Sequence, residues 1–160
     1  LENFIGIALV EEYCKMKAAK KVAWRHPAFN YRFDAIVYCV TSALGFAAIE
    51  NVFYCVEEGF GLVVSRALLS VPSHAVDGLI MGYYFGLAKE AELAGDRRRR
   101  KRFMRLSVLM PMLTHGFYDF ALSLDADWIL LFFFVFVIAL DIWAYKFVKK
   151  QAREDRKLAA

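Results

Sequence analysis

Cysteine is scarce and poorly placed for cross-linking. Cys14, Cys39 and Cys55 are odd in number, lie in or beside apolar runs and form no CxxC pair. That excludes a disulfide framework or a zinc knuckle and leaves small apolar packing residues. A basic n-region and a small-residue cleavage site are both missing, so the opening run reads as part of a spanning helix rather than a leader. No HExxH pair is present, and neither repeats nor low-complexity linkers divide the chain. Residues 1–160 are therefore expected to form one domain.

What the chain has is apolar length. Of its 160 residues, 59% are hydrophobic and 16% aromatic, against the roughly 45–50% apolar content of a soluble domain. Mean hydropathy is +0.38. The net charge of +4 does not mark a nucleic-acid binder, because the basic residues gather between apolar segments, as in cytoplasmic loops. Five segments approach the ~20 residues that a bilayer-spanning helix needs: about 3–22, 33–56, 62–88, 103–124 and 128–148. The pattern predicts an all-α, polytopic transmembrane helical bundle of about five helices, with the lipid bilayer as its surroundings. Because Leu1 opens within a short first run, a further membrane segment is expected before it.

Loop charge sets the expected orientation. Lys17, Lys20, Lys21, Arg25 and Arg32 follow the first segment, Arg97 to Arg102 and Arg105 follow the third, and Lys146 to Lys157 carry six cations after the fifth. The alternate loops hold Glu57 and Glu58, then Asp125 and Asp127, without Lys or Arg. The positive-inside tendency puts the basic loops and the C-terminus in the cytoplasm. Residues 89–105 are expected to be a mobile basic loop against anionic lipid, and residues 149–160 a cytoplasmic tail.

Ionisable groups inside apolar segments persist only when paired or functional. Glu11 and Glu12 follow directly on the first run, with Lys15 spaced i,i+4 from Glu11 in the favoured order. That spacing lets Glu11 and Lys15 pair on one face, with Glu12 about 100° round the helix; the lysine would hold one carboxylate and leave the other available, and spacing does not decide which. Two adjacent carboxylates also couple, which suits one of them to general-base work. In the second segment Gly45 and Ala48 are expected to let another helix approach Glu50 closely. In the third, Asp77 lies i+3 from His74 and could orient its imidazole, while Gly78, Gly82 and Gly86 form a close-packing stripe. Arg66 reads as an interfacial anchor. In the fourth, His115 and Asp119 are i,i+4 on one face, and both histidines follow a proline, Pro72 or Pro111. Glu50, His74 and His115 are expected in the outer half or near the middle of the bilayer, where they can meet at one level.

These residues resemble the PrsW family of intramembrane proteases, which is related to the CAAX-processing and bacteriocin-processing membrane proteases. E-E-x-x-K matches Glu11, Glu12 and Lys15. G-F-A-x-x-E-N matches Gly45 to Asn51, introduced by Asp34 and Tyr38. The following histidine matches His74, and H-G-x-Y-D matches His115, Gly116, Tyr118 and Asp119. The match runs from about Leu9 to Phe120.

The resemblance implies an endopeptidase of a bacterial or archaeal cell membrane. It would cleave single-pass membrane proteins near the outer face, in the manner of site-1 cleavage of an anti-sigma factor. Glu11 or Glu12 would activate water. Glu50, His74 and His115 would bind Zn2+ or, in a glutamic-type enzyme without a cofactor, position water and stabilise the oxyanion. Lys15, Asn51, Asp77 and Asp119 would support them. Two other classes fit the same acids and histidines: a proton or cation transporter, which would carry polar residues on toward the cytoplasmic face, and a non-catalytic membrane scaffold.

Overall fold

The computed structural model describes residues 2–124 and 127–158. Glu2–Ala8 wind as a wide π-type helix that runs straight into α1 (Leu9–Ala23). Then come α2 (Asp34–Glu58), α3 (Phe60–Leu93), α4 (Arg97–Leu122) and α5 (Asp127–Arg153). The all-helical class expected from the sequence is what forms, with five α-helices among the described residues. Of the residues that carried the expectations about the chain's start and the second acidic loop, Leu1 and Asp125 lie outside the described residues, as do Ala159 and Ala160 of the tail.

Local sequence accounts for the helix ends. α1 is rich in Glu, Lys and Ala, with Glu11 and Glu12 in its first turn and Lys20 and Lys21 in its last, which suits helix propensity and macrodipole alike. One residue, Gly59 at φ 87°, joins α2 to α3, a left-handed conformation that favours glycine. α3 is followed by Gly95 with φ 72°, and Asp96 caps α4 by accepting from Arg99 N–H at 2.9 Å. The basic stretch 89–105 is therefore helical except for Ala94–Asp96, not a loop. A glycine stop followed at once by an Asp N-cap closes the turn in three residues.

Apolar and polar surfaces are arranged inside out. α2 and residues Trp128–Arg153 of α5 are long and apolar enough to cross a membrane. Large apolar side chains such as Val56, Phe60, Leu68, Trp128, Leu131 and Ile138 are exposed on the outside of the bundle, while Glu12, Lys15, His74, Asp77 and His115 are buried within it. Such a surface suits lipid rather than water.

The glycine stripe fixes the α2–α3 contact. A Cβ added at Gly78 would stand 2.8 Å from Val40 Cα, and at Gly82 2.5 Å from Ile36 Cα, so the two backbones meet there. Gly45 does not serve the same purpose: nothing lies within 4 Å of its would-be Cβ, and Ala48 is exposed. The small buried residues of α2 are instead Ala35, Cys39, Ala43 and Ala47, one turn apart. At the basic end the tail is tied down. Leu158 N–H donates to Asn30 O at 2.7 Å and Arg32 N–H to Arg156 O at 3.0 Å. Leu158 is buried beside Trp24, Phe29 and Phe85.

Candidate active site

Four helices each contribute to one buried polar cluster. α1 brings Glu11, Glu12 and Lys15, α2 brings Glu50, α3 brings His74 and Asp77, and α4 brings His115 and Asp119. The rings of His74 and His115 stand perpendicular with centroids 5.2 Å apart. Glu11, Glu50, His74, His115 and Asp119 line one cavity of about 490 Å³ together with Tyr118 and Arg66.

The two glutamates of α1 have different fates. Lys15 Nζ lies 2.6 Å from Glu12 Oε1 and 3.4 Å from Glu11 Oε2, so the lysine pairs chiefly with Glu12, at i,i+3. The i,i+4 contact with Glu11 forms as well, at the longer distance. Helix spacing allows either partner, and the packing of α1 against α4 turns Glu12 inward. The Glu12 side chain is wholly buried, whereas that of Glu11 retains 18% exposure and faces the cavity.

The histidines are held from both sides. Lys15 Nζ is 3.0 Å from His74 Nδ1. An ammonium can only donate, so Nδ1 accepts and the proton sits on Nε2, which donates to Glu50 Oε2 at 3.0 Å. His115 Nδ1 donates to Glu12 Oε1 at 2.8 Å, leaving Nε2 3.3 Å from Asp119 and 3.7 Å from Glu11. Asp119 thus sits against His115 as its spacing predicts. Asp77 does not orient His74. Its Oδ1 accepts from Thr114 Oγ1 at 2.5 Å, because α4 packs on that face of α3 and offers a hydroxyl there.

Arg66 is the residue that sequence reasoning misplaced. It is no interfacial anchor: its Nη2 stands 3.0 Å from Glu50 Oε2, its Nε donates to Asn51 Oδ1 at 2.9 Å, and it lies over the Tyr54 ring at 3.8 Å. Asn51 therefore supports the arginine rather than the histidines. The signal was available, since Arg66, Ser70 and His74 recur at i, i+4 and i+8 and so share one helix face.

The expected metal set of Glu50, His74 and His115 is not one group. Donor atoms converge within 4.8 Å as Glu12, His74, Asp77 and His115, and separately as Glu11, Glu50 and His74; His74 belongs to both, while Glu50 and His115 do not share a group. The first group fits a metal ion. It combines two imidazoles with two carboxylates, a donor set suited to zinc. Two of its buried oxygens, Glu12 Oε2 and Asp77 Oδ2, also have no hydrogen-bond partner among the described residues.

The chain matches the model of the PrsW family, described as intramembrane metalloproteases, over residues 1–144. It is 40% identical over 156 residues to Protease PrsW of Halalkalibacterium halodurans, covering 98% of this chain and 70% of that protein. It is 37% identical over 156 residues to Protease PrsW of Bacillus subtilis, covering 98% and 67%. With Protease PrsW of Oceanobacillus iheyensis it shares 40% over 123 residues, covering 77% of this chain and 55% of that protein. The chain belongs to the PrsW family of intramembrane metalloproteases. It is thus an integral membrane protein of a protease family, an enzyme class whose substrates are membrane proteins, and it spans between about half and two thirds of the length of several PrsW relatives. No solved structure matches it.

Proposed function

We propose that this chain carries the peptide-hydrolysing centre of a PrsW protease, with Glu11 as the general base. The observation that supports this is the asymmetry of the glutamate pair: Glu12 is locked between Lys15 and His115, while Glu11 opens on the cavity near His115 Nε2. A water molecule beside Glu11 gives up a proton to its carboxylate as the water oxygen attacks the scissile carbonyl carbon. The same carboxyl then passes that proton to the leaving amide nitrogen as the C–N bond breaks, giving a carboxylic acid, which then ionises to solvent, and an amine. His115, held through Nε2 against Asp119, turns that N–H toward the developing oxyanion, and a fixed donor is worth most in a water-poor site.

Zinc, held by Glu12, His74, Asp77 and His115, would supply Lewis acidity to the scissile carbonyl. Arg66 and His74 together fix Glu50 at the outer side of the cavity. The substrate in this reading is a single-pass membrane protein of the anti-sigma-factor type, cut near the outer face, with the basic loops and C-terminus of the enzyme in the cytoplasm.

The test is cleavage of a single-pass reporter in reconstituted liposomes. Glu11→Gln is expected to abolish product while the protein still purifies as a monodisperse species. Retained cleavage in Glu11→Gln would reject Glu11 as the base.

A further inference from the structure

Lys15 sits among the atoms that a metal ion would use. Its ammonium has three hydrogens, and Glu12 Oε1 at 2.6 Å, His74 Nδ1 at 3.0 Å and Glu11 Oε2 at 3.4 Å take them. Glu12 and His74 are also two of the four residues whose donor atoms converge. The ammonium has no hydrogen left for Glu12 Oε2 or Asp77 Oδ2, both buried and without a partner among the described residues. Orphaned carboxylate oxygens are costly in such surroundings. A divalent cation could bind them, but not while Lys15 holds Glu12 Oε1 and the His74 lone pair. Two cations on the same carboxylate and imidazole repel strongly at low dielectric, and the His74 Nδ1 lone pair cannot serve both.

We propose that Lys15 and a divalent cation are alternative occupants of this site, so that loading the metal requires the Lys15 ammonium to withdraw. The proposal rests on the metal reading of the preceding subsection. The structure provides somewhere for the ammonium to go. Nζ already lies 4.6 Å from the centre of the Phe46 ring, a face that attracts cations. Beside it is a groove of about 490 Å³ between α1 and α2, lined by Ala18, Thr41, Ser42, Gly45 and Phe46 as well as by Lys15. Gly45, whose would-be Cβ meets nothing, keeps that groove open. The lysine then acts as a built-in counter-ion that holds the acidic cluster together before loading and limits how tightly metal binds. This makes Lys15 a positioning residue and not a catalytic one.

The experiment is a zinc titration of metal-stripped full chain in mild detergent, against a chromogenic chelator, for wild type, Lys15→Met and His115→Ala. Lys15→Met is expected to bind zinc about tenfold or more tighter than wild type, the worth of one charge-assisted hydrogen bond, and His115→Ala to lose binding. In the wild type, labelling of the Lys15 amine, read by mass spectrometry, should rise several-fold on adding zinc, because Nζ leaves the buried cluster. Equal or weaker binding in Lys15→Met, with wild type still loading zinc, would overturn the proposal and leave the metal reading standing. No zinc uptake in either protein, with cleavage unaffected by chelators, would remove the metal reading and this proposal with it. If Lys15→Met fails to fold, the wild-type labelling decides, and labelling unchanged by bound zinc overturns the proposal.

Discussion

Gly82→Ala should loosen the bundle at the place where α2 and α3 touch backbone to backbone. The added Cβ would stand 2.5 Å from Ile36 Cα and 2.8 Å from Ala35 O, where ordinary contact begins at 3.4 Å. The shortfall is therefore about 0.9 Å (3.4 minus 2.5) against atoms that no rotamer change can move. Overpacking of this kind costs about 1–3 kcal/mol, while replacing a helical glycine by alanine returns at most about 1 kcal/mol. Gly82→Ala is thus expected to be net destabilising. Gly45→Ala makes the control, since its Cβ enters open space and only the propensity gain remains. The assay is unfolding in mixed micelles with rising SDS, followed by tryptophan fluorescence, to which buried Trp24 contributes with Trp128 and Trp143. Gly82→Ala should unfold at a lower SDS fraction than wild type, and Gly45→Ala at the same or a higher one. Cleavage should fall in parallel for Gly82→Ala, because α2 and α3 carry the two partners of the Glu50–His74 contact. If both variants unfold together with wild type, the close approach that fixes the site's geometry is not there.

The other expectations concern charge. Glu12→Gln leaves Lys15 buried beside a neutral partner, and breaking a buried pair costs about 3–5 kcal/mol. Its SDS midpoint should drop sharply, whereas Glu11→Gln, at the cavity wall, should keep a near-normal midpoint and lose only activity. Arg66→Gln frees one side of Glu50 but leaves its bond from His74. Cleavage is expected to fall about tenfold in a folded protein, with partial recovery in Arg66→Lys, which restores charge without the planar fork. Outside the membrane, Glu92 is held below its ordinary carboxylate value: partial burial pushes it up, but hydrogen bonds from Arg100 and Lys89 outweigh that. A depressed carboxylate contributes fully at neutral pH and loses its contribution as pH falls through its folded value. Proteolysis at the Ala94–Asp96 turn should therefore quicken only on acidification below the normal carboxylate range, and Glu92→Gln should remove that dependence.

Much of this protein is determined by sequence alone. Helical class, family and the identity of the cluster all follow from local features: long apolar runs, the cost of placing Glu11, Glu12, Glu50, His74, Asp77 and His115 in them, and motif spacing. The histidine–acid pair on α4 was equally legible, because i,i+4 neighbours meet whatever else the helix does. Pairings between helices were not. Spacing could not tell whether Lys15 would take Glu11 or Glu12, nor that Thr114 would claim Asp77 ahead of His74. Those choices depend on how each helix is rotated about its axis. That rotation is set by the tertiary contacts of Gly78 and Gly82 with α2 and of Gly116 with the Phe4 ring. The same rotation carries Arg66 from the lipid-facing side, where its position near a helix end placed it, into the cavity beside Glu50. Sequence supplies the charges, and packing decides which of them meet.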